Sequence, residues 1–116
     1  MSIMYLASPY THEDREMEKL RFKQVCAAAG RLMFDGHVVF CPIAMGHPIQ
    51  EASTNWPLPR TLEWWMARDL PILERCDMLM VLCLSGWEDS RDVAAEIGHA
   101  GAQEIPITYI SPRSYI

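Results

Sequence analysis

A chain of 116 residues, half of them hydrophobic and 22% charged, carries enough apolar surface for one compact domain, residues 1–116, and is too short for two. The formal net charge of −5 excludes a nucleic-acid polymer as partner, because neutralising phosphates takes clustered lysine and arginine. No apolar run approaches the roughly 20 residues that span a bilayer, and no leader-like segment opens the chain, so neither membrane nor export is expected.

In chain order, SIMYLA (2–7) reads as an apolar strand that Pro9 ends. Thr11 and Asp14 resemble a capping box. Met17, Leu20, Val25, Ala28 and Leu32 then recur at helical spacing, and Gly36 supplies the stop. HVVFC (37–41) is the second strand. Residues 42–60 contain Pro42, Pro48, Pro57 and Pro59, and a connection of that length implies a functional loop. TLEWWMARDLPILERC (61–76) reads as a helix with Leu62, Trp65, Met66 and Leu70 inward, which Pro71 must kink or divide. DMLMVLCL (77–84) has the unbroken apolar character of a strand covered on both faces. Asp89 or Ser90 caps a helix running to about Gly101, and IPITYI (105–110) is the last strand.

The order β-α-β-α-β-α-β without hairpins predicts a parallel sheet of four to five strands between two helical layers, a flavodoxin-like or Rossmann-like three-layer sandwich. Ligands in such sheets bind beyond the carboxyl ends of the strands. That places loops 7–11, 42–55 and 85–90 around the candidate site.

SGWEDSRDVAAEIGHA (85–100) holds the sharpest candidate. On a helical projection Glu96 falls roughly 60° from Val93, at the margin of the apolar face. It is either a solvated helix-face glutamate or a partly desolvated carboxylate facing the strand ends. Tyr5 reads as a buried strand aromatic. Asp69 reads as a helix-surface charge or a cap. Asp77, opening a strand, is expected to pair locally.

YLASPY (5–10 with its neighbours), RDLPILERCDMLMVL and DSRDVAAEIGHA resemble the nucleoside 2-deoxyribosyltransferase superfamily. That group includes 2′-deoxynucleoside 5′-monophosphate N-glycosidases and small uncharacterised bacterial and phage proteins, and the last branch is the most similar. The resemblance implies Glu96 as nucleophile at the anomeric carbon, Asp69 assisting departure of the base, and Tyr5 orienting the Glu96 carboxylate. It also implies that Ser90 contacts the 5′ end of the sugar. A serine there, where the transferases carry aspartate, suits a phosphate and tilts the reading toward hydrolase. Arg91 would add charge at the helix N-terminus, and Ser8 and Pro9 lie in the strand-end motif. The chain departs from the monophosphate hydrolases in lacking their Gly-Ser and nearby Arg after the first strand, so His12 or Arg91 would have to stand in, and Asp92 adds negative charge beside Ser90.

Trp64 and Trp65 point about 100° apart on a helix, so at most one faces the site. Trp87, beside Gly86, is placed for a ligand or subunit contact, and His47 for a base contact or as an acid behind the site. Met1, Met4, Met78 and Met80 are apolar filler. Cys26, Cys41, Cys76 and Cys83 form no C-x-x-C pair and sit in apolar segments, as free thiols in a reducing cytoplasm would. The four histidines lack metal-site spacing, and no metal or organic cofactor is implied.

The expected activity is cleavage or exchange of the N-glycosidic bond of a (deoxy)nucleoside or its 5′-monophosphate through a covalent Glu96 intermediate. The expected partner is that small molecule, and the resemblance implies a homo-oligomer. Two other readings remain: a nucleotide-binding module without turnover, and a glycohydrolase of NAD-type nucleotides.

Overall fold

A computed structural model describes residues 2–116; Met1 lies outside the described residues. The elements run β1 (Ile3–Ala7), α1 (Arg15–Phe34), β2 (Val38–Phe40), α2 (Pro42–Ala52), α3 (Leu62–Leu73), β3 (Met78–Leu82), a 3-10 turn (Trp87–Asp89), α4 (Arg91–Ala102), β4 (Ile107–Ile110) and α5 (Pro112–Tyr115). The four strands form one parallel sheet in the order β2-β1-β3-β4. That is a flavodoxin-like order, and the strand sequence reverses between β1 and β3.

Alternation along the two central strands builds the layers. Met4 and Leu6 of β1, with Met80 and Leu82 of β3, pack with Val25, Ala28 and Leu32 of α1. Tyr5 and Ala7, with Leu79 and Val81, pack on the other face with Leu73 of α3 and Val93 and Ala100 of α4. Asp77 enters β3 by local pairing: its Oδ2 accepts from the Ile3 N–H at 2.7 Å and its own N–H donates to the Ile3 carbonyl at 2.8 Å.

Three expectations change. The segment 42–60 is not one long loop, because α2 occupies its first part. Pro42 sits in the first turn, where a missing N–H costs nothing. Pro48 forgoes one bond, yet Ile43 and Ala44 pack against the core and hold the helix. Pro71 neither divides nor ends its helix. It lies close to the C-terminus of α3, its carbonyl accepts from the Arg75 guanidinium at 2.8 Å, and the Glu74 N–H reaches the Leu70 carbonyl.

The capping box on Thr11 is also replaced. Asp14 caps α1, accepting from the Glu16 N–H at 3.0 Å. With the helix starting there, Leu20 is left 48% exposed and Met17 half-buried, while Glu18 turns inward.

Candidate active site

A cleft of about 300 Å³ opens beyond the carboxyl ends of the strands, lined from the loop after β1 and from α1, α2, α3 and α4. Its volume is at the lower end of small-molecule sites. Arg21 of α1 braces the rim, donating to the Tyr10 and Thr11 carbonyls and to the Ser85 carbonyl at 3.5, 3.2 and 3.4 Å, so the loops after β1 and β3 are tied together.

Glu96 lies at the floor. It is 3% exposed rather than marginal, and the Tyr5 hydroxyl donates to its Oε2 at 2.5 Å. Tyr5 reaches it because β1 and α4 pack on the same face of the sheet. Burial pushes the Glu96 carboxyl up to about 8, against the Tyr5 hydrogen bond, with the charges of Asp69 and Asp92 adding to the rise. Burial and the adjacent Glu96 charge push the Tyr5 phenol above its usual range, so Tyr5 is a committed donor. Asp69 enters from α3, buried, and its carboxyl rises to about 6 through burial and the Asp92 charge.

Among the substrate-contact candidates, Ser8 and His47 line the cleft. Ser8 is 1% exposed, and its hydroxyl is the one buried side-chain polar atom without a hydrogen-bond partner among the described residues. The His47 Nδ1 lies 2.6 Å from the Tyr10 hydroxyl, and its ring stacks on Phe22 at 4.2 Å. Ser90 and Arg91 are not in this cleft but in a second depression beside it, which shares Thr11, Arg60, Thr61, Leu62 and Asp92 with the cleft. The Ser90 hydroxyl caps α4, accepting from the Val93 N–H at 3.2 Å. Replacing Ser90 with alanine is expected to cost about 1 kcal/mol of stability; an unchanged denaturation midpoint would show the cap to be idle. Arg91 is 80% exposed and 3.9 Å from Glu63.

Pro9 and Trp87, both expected as ligand contacts, lie outside the cleft. Pro9 is fully buried and absent from the cleft wall, because the chain is still leaving the sheet there. Trp87 packs on Tyr109 of β4 at 5.4 Å and lines neither depression. Of the adjacent tryptophans, Trp65 lines the cleft, while Trp64 carries the Arg68 guanidinium 3.4 Å above its ring.

Glu18, Arg60 and Tyr10 line the cleft without having been singled out from sequence. Glu18 is 4% exposed; its Oε1 meets the Arg60 guanidinium at 2.6 Å and its Oε2 accepts from the His12 N–H at 3.1 Å. The signal for Glu18 was present, since it lies seven and fourteen residues before Val25 and Leu32 and so shares their helix face. Nothing local marks Arg60. Its segment is held from outside, by Gln50 and the Trp65 indole N–H donating to the Pro59 carbonyl at 3.4 and 2.8 Å. Among the described residues no three His, Cys, Asp or Glu side chains converge as a metal site.

A buried carboxylate held by a committed donor, with a second carboxyl of raised pKa in the same cleft, can do nucleophilic and acid–base work. The solved 2-deoxyribosyltransferase from the psychrotolerant bacterium Bacillus psychrosaccharolyticus shares the fold. It aligns with a TM-score of 0.65 at 24% identity, covering 96% of this chain and 73% of that one. No curated protein matches the chain. The family described as "Domain of unknown function (DUF1937)" matches residues 2–111, and the chain belongs to that family.

Proposed function

We propose that this protein cleaves or exchanges the N-glycosidic bond of a (deoxy)nucleoside or its 5′-monophosphate, with Glu96 as nucleophile. The observation that carries the reading is the buried Tyr5–Glu96 pair at the strand ends, with Asp69 in the same cleft. In this reading an ionised Glu96 oxygen bonds to C1′ as the C1′–N bond breaks, and the bond's electron pair goes to the base. Asp69 gives that nitrogen a proton. Water or a second base then attacks C1′ of the ester, which releases the Glu96 carboxylate and returns a proton to Asp69. Tyr5 positions the carboxylate through its hydrogen bond. The fold shared with a 2-deoxyribosyltransferase supports the reading. The four free cysteines agree with a cytoplasmic setting, and assembly as a homo-oligomer is part of the same proposal.

The test is a panel of deoxynucleosides, ribonucleosides and their 5′-monophosphates, with and without an acceptor base, followed by chromatography. Released base marks hydrolysis and exchanged base marks transfer. No release from any member, with saturable binding retained, would leave a binding module and sink the reading.

The pH profile follows from the two carboxyls. Glu96 must be ionised, which favours rising pH up to about 8, and Asp69 must be protonated, which favours pH below about 6. The product of the two fractions climbs to pH 6, levels between 6 and 8, and falls above 8. Asp69→Asn should remove the alkaline fall. A rate independent of pH from 5 to 9 would contradict both assignments.

A further inference from the structure

Charge in the cleft is one-sided. Glu13, Glu18, Asp69, Asp92 and Glu96 line it against a single arginine, Arg60, which is already paired with Glu18 at 2.6 Å. The depression beside it repeats the pattern, with Glu63, Asp89 and Asp92 around Arg60 and Arg91. Arg91 itself lies 3.9 Å from Glu63. A phosphate would bring further negative charge into this wall, where Arg60 is already held by Glu18 and the exposed Arg91 stands among Glu63, Asp89 and Asp92. The rest of the cleft suits a flat ring: Trp65 forms one wall, and Tyr10 and His47 another part of it. Independently of charge, the buried and unpartnered Ser8 hydroxyl lines the cleft and marks it as a place where a ligand completes a hydrogen bond.

We infer that the cleft selects an unphosphorylated nucleoside whose base carries a positive charge, such as an N-alkylated purine or pyridine, with Ser8 supplying a hydrogen bond to its sugar. The inference rests on the reading of Glu96 as nucleophile and adds the substrate class. The chemistry suits the wall. A cationic base keeps the electron pair of the breaking C1′–N bond and leaves neutral, so no proton need come from Asp69. The positive charge passes to the sugar, where the Glu96 oxygen forms the new bond to C1′. Water then attacks C1′, frees the Glu96 carboxylate and loses a proton to solvent.

A bound cation also activates the nucleophile. The groups facing Glu96 are Tyr5 from β1, Asp69 from α3 and Asp92 on its own helix, with Cys41 preceding α2. Burial and the two aspartates hold Glu96 protonated at neutral pH, opposed only by the Tyr5 hydrogen bond. A positive charge beside them offsets the aspartates and favours the ionised form. A neutral nucleoside gives no such help, and a phosphate works against it.

The test measures equilibrium binding of 7-methyl-2′-deoxyguanosine, 2′-deoxyguanosine and 2′-deoxyguanosine 5′-monophosphate to Glu96→Gln, which removes turnover and keeps an acceptor for Tyr5. The cation is expected to bind about tenfold tighter than the neutral nucleoside, the monophosphate most weakly, and the gap should narrow with salt. Asp92→Asn should shrink the cation's advantage, and Ser8→Ala should weaken both nucleosides. With wild-type protein, the acid limb of kcat should move to lower pH for the cation and its alkaline fall should vanish. Equal affinities, a tighter monophosphate or an unmoved acid limb would each overturn the inference. If neutral substrates are still cleaved, the proposed function stands without it; if no substrate releases base, both fall.

Discussion

Replacing Glu96 with glutamine is expected to lower base release at least about a thousandfold while making the folded protein more stable above pH 8. The two effects share one cause. The Glu96 side chain is buried at the floor of the cleft, where a carboxylate is kept out of water and its ionised form is costly. Burial raises its pKa in the fold to about 8 from an ordinary value of 4.5. Between those values the folded protein holds a proton that the unfolded chain has lost. Stability is therefore greatest below about pH 4.5 and is lost as pH rises toward 8. By pH 9 the accumulated loss is about 5 kcal/mol. Glutamine has no such titration, and its amide oxygen still accepts from Tyr5. Thermal melts at pH 6 and pH 9 should show the variant's advantage widening with pH. Parallel melts would mean that Glu96 is not the buried titrating group, and unimpaired base release by the variant would remove it from the chemistry.

Replacing Arg60 with alanine carries the second large effect, a loss of about 2 kcal/mol of stability. Glu18 is buried while the Arg60 side chain is about one-third exposed, so the two sides of the pair are not equivalent. Without the guanidinium, Glu18 keeps only the His12 N–H at 3.1 Å and remains a buried charge. The double variant Glu18→Gln, Arg60→Ala removes that charge and should recover most of the loss. The 53–61 segment would also lose its tie to α1, so substrate KM should rise more than kcat falls. Denaturant melts of the two single variants and the double decide the point: additive losses would show that the residues do not act as a pair.

Much of this molecule was legible as pattern. The four strands, their parallel pairing and the helix after Ser90 follow from apolar runs without hairpin turns and from a cap before a periodic segment. The prolines misled, because a proline's effect depends on its depth in the helix and on packing from other segments. Pro42 fell in the first turn, Pro48 was carried by Ile43 and Ala44 against the core, and Pro71 lay close to the end of α3.

The site divides in the same way. Glu96 could be singled out because it is a carboxylate at the margin of an apolar helical face, a conflict visible along the chain itself, whereas Asp69 was marked only by the resemblance of its segment to a known family. Glu18 carries the same mark, seven residues before Val25. Which of them would meet Tyr5, that Arg60 would cross from another segment to neutralise Glu18, and that Trp87 would turn toward Tyr109 rather than the cleft were decided only by tertiary packing. Sequence periodicity sets the face a side chain takes on its own element. The distance between two elements, and so the partner and pKa of a buried charge, is set by how the layers close over the sheet.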